Sequence, residues 1–185
     1  MTKKNWWRKA AGLIGVVAGA LILVLLVGRG SGSSEGATVS EMNDARDLAQ
    51  ILSLFERNRY WLTATPNFPA EFSFRTRSPN EYPAYRGALT VKVLRDNGNL
   101  FGFVSYYMKA PGEGYILFLG VDEKYRGKRY ADQLMLHAME DLIGRGVRRI
   151  ELITRPTNIA AQKVYRRLGF REVWRDHMFV DFEYP

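Results

Sequence analysis

Two clusters of residues in this chain have the types and spacing to do chemistry. The first is Tyr125-Arg126-Gly127-Lys128-Arg129-Tyr130-Ala131, between a strand-like run, Tyr115 to Val121, and a helix-like run, Ala131 to Ile143. A basic turn that opens a helix is an anion site. Its backbone N–H groups are unpaired, and the helix dipole adds positive potential. The second cluster reads Asn158-x-x-Ala161-x-x-x-Tyr165-x-x-x-Gly169-Phe170. Asn158 is a natural helix N-cap and Gly169 a helix-ending glycine.

The elements that must position these clusters follow from periodicity and turn chemistry. A short strand is expected over 37–40. Asn43 or Asp44 caps a helix running to about Arg57, with Ala45, Leu48, Ala49, Ile51, Leu52 and Phe55 on one stripe. Residues 59–87 read as irregular, because Pro66, Pro69, Pro79 and Pro83 oppose long helices and strands. Such a segment is a binding loop or a cover for the core. Strands follow over 89–94 and 100–108, joined by Asp96-Asn97-Gly98-Asn99, whose Asn-Gly pair suits a type I′ hairpin turn. Tyr115 to Val121 is almost continuously apolar, as a strand covered on both faces would be. After the helix to Ile143 come a strand over 148–153, a helix over 158–168, and two last strands over 170–175 and 177–184. The sum is one α/β domain with a mixed sheet over 37–185.

The chain has 185 residues and no cysteine, which removes thiolate metal sites and a thiol nucleophile. Its two histidines, His137 and His177, are too few for a multi-histidine metal site, and both read as structural. The formal charge of +8 is mostly N-terminal. Lys3, Lys4, Arg8, Lys9 and Arg29 precede every acid, leaving 22 cations against 19 anions in the rest. No nucleic-acid surface is needed to explain the basic balance.

Residues 10–28 contain no charge and are apolar throughout, between a basic flank at 1–9 and a Gly/Ser-rich linker at 29–36. As a helix rising ~1.5 Å per residue, 10–28 would measure roughly 28 Å, close to a bilayer core. Trp6 and Trp7 stand where interfacial aromatics belong. The run is longer than a signal-peptide core, so it reads as an uncleaved single-pass anchor. Gly15-x-x-x-Gly19 fits the small-residue pattern of helix contact and would permit a homodimer. The basic N-terminus by itself argues for a cytosolic start with the domain on the other side of the membrane, and the side of the domain stays open.

The two motifs, with the strand order around them, resemble the GNAT superfamily of acyl-CoA-dependent N-acetyltransferases over about residues 37–184. The resemblance implies a mixed, mostly antiparallel sheet flanked by helices. It implies that Arg126, Gly127, Lys128, Arg129, Tyr130 and Ala131 hold the pyrophosphate of acetyl-CoA, and that the backbone of Leu119 and Val121 pairs with its pantetheine arm. Asn158 would contact the same molecule or orient the helix start, and Tyr165 would protonate the thiolate that leaves when an amine attacks the thioester. Arg129 departs from the pattern, which has a glycine there. The strand before Val121 lacks the carboxylate that many relatives use as a base. Glu113 in the preceding turn or a water chain would have to serve, while Asp122 and Glu123 read as turn residues. The acceptor amine is not legible; 59–87 and the turn near 175–177 are where such sites form in relatives. The competing reading is a non-catalytic GNAT-like module displayed from the membrane.

Overall fold

A computed structural model describes residues 36–79 and 88–185. Its elements are β1 (Thr38–Glu41), α1 (Asp44–Leu62), α2 (Ala70–Thr76), β2 (Thr90–Asp96), β3 (Asn99–Ala110), β4 (Glu113–Val121), α3 (Tyr130–Gly144), β5 (Arg149–Thr154), α4 (Ile159–Arg167), β6 (Arg171–Arg175) and β7 (Val180–Tyr184). The strands form one sheet in the order β1-β2-β3-β4-β5-β7-β6. Only β4 and β5 run parallel; every other pairing is antiparallel. The mixed, mostly antiparallel sheet is thus present. The anchor expected over 10–28 lies outside the described residues. Among those described, no helix is long and apolar enough to cross a membrane.

Asn43 caps α1, its side-chain oxygen accepting the Arg46 N–H at 3.1 Å. Asp47 is fully buried beside it and accepts from the Asn43 N–H at 2.7 Å and from Arg46 Nε at 2.8 Å. Arg95 of β2 also pairs with Asp47, which fixes the helix start to the sheet. Burial opposes the charge on Asp47, but these donors outweigh it and hold its pKa below the ordinary carboxylate value.

Two expectations are corrected here. The first helix runs on to Leu62 rather than stopping near Arg57, because a distant residue completes its end. Arg155, after β5, donates to the carbonyls of Tyr60 at 2.6 Å and Thr63 at 3.3 Å. Such a cation satisfies orphan carbonyls at a helix C-terminus. Residues 59–87 also contain α2. Pro69 occupies its N-cap, where a missing N–H costs nothing, so this proline bounds a helix instead of breaking one. Phe74 of α2 then buries its ring edge-on against Phe55 and Phe103.

Asn97 and Gly98 make the β2–β3 hairpin with φ of +46° and +82°, the two positive angles of a type I′ turn. Gly169 ends α4 at φ +92°, and the Phe170 N–H reaches back to the Tyr165 carbonyl at 3.0 Å.

The sheet separates two cores. Ile51, Leu54, Phe55, Phe74, Val93 and Phe118 lie under α1 and α2, while Val104, Tyr106, Leu134, Leu142, Ile150 and Phe182 lie under α3 and α4. Strand β4 touches both. Its register to β3 skips one residue: Ser105 opposes Phe118 and Tyr106 opposes Ile116, so Leu117 is a bulge. The bulge reverses the faces of the strand. Tyr115 and Leu117 pack with the core under α1, whereas Leu119 and Val121 pack with the core under α3.

Candidate functional site

β4 and β5 pair only at Glu113, Gly114 and Tyr115 against Arg149, Ile150 and Glu151. From Ile116 onward β4 has no strand on that side, although β5 continues to Thr154 paired with β7. The strands therefore diverge, and the gap opens a cleft of about 610 Å³. Leu119, Gly120 and Val121 form its floor, the 125–131 turn and the start of α3 one wall, and 157–161 with Lys163, Val164 and Arg167 the other. Asn58, Trp61 and Leu62 of α1 close its top.

Of the residues read from sequence, Leu119, Val121, Arg126, Gly127, Arg129, Tyr130, Ala131 and Asn158 all line this one cleft. Lys128 is exposed on the same turn but does not line it. Two helix starts, those of α3 and α4, face the cleft together, and Arg126, Arg129, Lys163 and Arg167 border it against the single carboxylate of Asp132. Charge and helix dipole in the cleft both favour an anion. Two of its glycines differ in what a side chain would meet. Gly127 holds φ +82° with open space where a Cβ would be, and Gly120 has a Phe103 ring atom only 2.7 Å from its would-be Cβ. Arg129, at the position of the expected glycine, adopts φ +61° and ψ +20°, the left-handed conformation that glycine takes without cost.

Several side chains act by holding others. Arg126 gives Nε to the Val121 carbonyl at 3.2 Å and its terminal nitrogen to Asn58 Oδ1 at 2.6 Å. Asn58 in turn donates to the Leu54 carbonyl at 2.8 Å. Arg57 bonds Asp122 at 2.7 Å. Burial opposes the charge on Asp122, but the Lys124 N–H and Arg57 hold its pKa down. Together these contacts fix α1 onto the anion turn. Asn158 caps α4 by accepting the Ala161 N–H at 3.2 Å. Arg167 grips Asp132 with two bonds, 2.6 and 2.7 Å, and joins α4 to α3 across the cleft wall.

Tyr165 is not among the lining residues. It is 6% exposed and packs against Phe170 and Phe182 beneath α4, while its helix neighbours Ala161 and Val164 reach the cleft. Its hydroxyl makes no hydrogen bond among the described residues. Burial raises its pKa, which keeps the phenol protonated. Glu113 is ion-paired with Arg149 at 2.7 Å at the far end of β4 and borders neither this cleft nor the next. His137 and His177 are exposed on α3 and in the β6–β7 turn.

A second cavity, about 340 Å³, lies beyond Trp61 and Leu62, which line both. Tyr115, Leu117 and Phe118 enter it from β4, Ile153 and Arg155 from the end of β5, and Phe179 from the β6–β7 turn. Residues of 61–79 and Phe179, just past the turn near 175–177, line this one cavity. Sequence reasoning missed Asn58. Asn58 left a signal: it falls on the stripe Ile51, Phe55, Leu62, a polar residue at a buried helix position.

Comparison with known proteins agrees with this geometry. The sequence profile of the Acetyltransferase (GNAT) family matches residues 48–170. No curated protein sequence matches significantly. Among solved structures, an N-acetyltransferase from Staphylococcus aureus Mu50 superposes with a TM-score of 0.64 at 19% identity, covering 80% of this chain and 98% of that one. The PaiA N-acetyltransferase of Thermoplasma acidophilum, solved with coenzyme A, gives 0.62 at 16% identity, over 80% and 98% of the two chains. The ribosomal-protein-S18-alanine N-acetyltransferase of Escherichia coli gives 0.58 at 22% identity, over 80% and 90%. At these identities the likeness is one of fold. Fold, cleft and a profile match spanning most of the described domain agree, and the chain belongs to the acetyltransferase (GNAT) family.

Proposed function

We propose that this protein is an N-acetyltransferase that moves an acetyl group from acetyl-CoA to a primary amine. The observation that carries the reading is the divergence of β4 from β5. It leaves a bare strand edge facing two helix starts, in a cleft that meets a second cavity at Trp61 and Leu62. The residues present fit the donor. Pyrophosphate suits the N–H groups and charge of Arg126, Gly127, Lys128, Arg129, Tyr130 and Ala131. An extended amide chain suits the free edge at Leu119 and Val121, and Asn158 holds the second helix start beside it. When bound, the donor supplies an activated acetyl thioester. In the transfer the amine nitrogen bonds the acetyl carbon, the C–S bond breaks, and one proton passes from nitrogen to the thiolate sulfur. Tyr165, kept protonated by burial, is our candidate for the proton donor.

The test is thiol release from acetyl-CoA in the presence of an amine panel, with Tyr165→Phe beside wild type. The chain contains no cysteine, so protein thiols add no background. Loss of about 10²-fold or more in kcat with donor affinity kept supports the acid role; equal turnover removes Tyr165 from it. The second reading, a non-catalytic module, draws on Glu113 being held by Arg149 and on Arg129 at the glycine position. Donor binding without any thiol release would favour it. We further propose that residues 10–28 anchor the protein in a membrane. Protease protection of the domain in sealed vesicles reports its side, and a compartment without acyl-CoA would argue against catalysis.

A further inference from the structure

The second cavity has a chemistry of its own. Its walls are aromatic and aliphatic: Trp61, Phe68, Tyr115, Leu117, Ile153 and Phe179 are among them. The two cations among its described lining residues are already engaged. Lys109 bonds Glu151 at 2.6 Å, and Arg155 bonds two carbonyls at the end of α1 while stacking 4.3 Å over Tyr60. Among the described residues no carboxylate lines it. Two acids of the β5–β7 face are outside its described lining. Glu151 is there, held by Lys109 and Arg149, and so is Asp181, whose pKa is raised by burial and by Asp176 and Glu151.

An acceptor with two or more ammonium groups needs carboxylates to replace their hydration. The described lining of this cavity offers none. Resting on the transferase reading above, we propose that the acceptor is a monoamine whose amino group is borne by an aromatic or branched apolar body, with that body seated in the 340 Å³ cavity. The volume is at the small end of ligand sites and suits one ring with a short arm. The same surroundings assist the reaction. An ammonium moved beside Trp61 and Leu117 without a counter-charge loses hydration, so its pKa falls and the free amine is favoured. The amine then forms the C–N bond as the donor's C–S bond breaks, its surplus proton ending on sulfur. No carboxylate base is required, which fits the remote, ion-paired Glu113.

The chemistry has two sources, a free arylalkylamine or the N-terminus of a peptide led by an apolar residue. The experiment compares phenethylamine, a peptide beginning with Phe, spermidine and kanamycin as acceptors for the full chain in detergent, by thiol release. Coenzyme A binding is measured separately by calorimetry. The expected result is kcat/KM at least about tenfold higher for phenethylamine or the Phe-led peptide than for either polycation. Whichever of the two is faster identifies the source. Ile153→Glu, at a half-exposed wall position, places a carboxylate in the cavity and should shift the spermidine-to-phenethylamine ratio upward by about tenfold or more. Coenzyme A binding by this variant shows that it is folded. Preference for spermidine or kanamycin in wild type overturns the proposal, as does a ratio unmoved in a folded Ile153→Glu. If coenzyme A binds and no amine is acetylated, the acceptor proposal fails while the donor site stands. If coenzyme A does not bind, the transferase reading fails and this proposal falls with it.

Discussion

Arg129 offers a direct test of the backbone argument. At φ +61° it is one of three non-glycine residues with positive φ among those described, and it sits where the family pattern has glycine. A left-handed residue with a Cβ costs roughly 1–2 kcal/mol. Its guanidinium makes no hydrogen bond or ion pair among the described residues, so removing it loses no contact in the fold. Arg129→Gly relieves the strain but gains unfolded-state entropy worth about 0.4–1 kcal/mol. The net is a stabilisation of about 0.5–1 kcal/mol, or ~1–4 °C in Tm for a chain of this size. Arg129→Ala keeps the Cβ and the strain, so it should match wild type within ~0.5 kcal/mol, and Asn, which tolerates this region, should fall between. Urea unfolding of the four proteins gives the ranking. Arg129→Gly no more stable than Arg129→Ala would refute the strain. Repeating the melts with coenzyme A separates charge from conformation. If the Arg129 cation meets the phosphates, all three variants should gain less stabilisation from the same ligand concentration than wild type does.

Gly120→Ala forces a Cβ to within 2.7 Å of the Phe103 ring and should cost about 1–3 kcal/mol, with weaker coenzyme A binding. Adding Phe103→Leu should recover part of both losses, read by thermal unfolding and calorimetry. Ser105 is fully buried with no partner for its hydroxyl, so Ser105→Ala should leave the unfolding free energy unchanged or raise it by up to about 1 kcal/mol. A loss above ~1 kcal/mol would mean the hydroxyl is bonded after all. Because the pKa of Asp47 is lowered on folding, its stabilisation is complete above the ordinary carboxylate value and is lost as pH falls through the folded value. Urea unfolding between about pH 5 and pH 2 should therefore fall more steeply for wild type than for Asp47→Asn.

Features with short-range causes were legible in the sequence. The Asn97-Gly98 turn, the Asn43 and Asn158 caps, the glycine end at Gly169 and the basic turn before α3 all arise within a few residues, and all appear as read. The eight cleft residues named from sequence come together because the two motifs sit at consecutive helix starts on the same side of the sheet. Features with partners far along the chain were not legible. The last turn of α1 depends on Arg155, which lies more than ninety positions away from Tyr60 and Thr63. The α2 helix depends on Phe74 finding Phe55 and Phe103. Prolines read locally as breakers; only the packed chain shows that Pro69 starts a helix.

The site also depends on a register event that composition cannot encode. Along an ordinary strand, positions 115, 117, 119 and 121 would share one face. The bulge at Leu117 divides them. Tyr115 and Leu117 reach the apolar cavity, while Leu119 and Val121 reach the anion cleft, and Gly120 keeps the backbone between them thin against Phe103. One strand therefore presents a different face to each compartment within seven residues of chain, just where it leaves β5. A straight β4 would put all four side chains on one side and leave the other compartment without its wall. The continuous apolar run from Tyr115 to Val121 reflects that division: each position has an apolar surface to meet, on one face before the bulge and on the other after it.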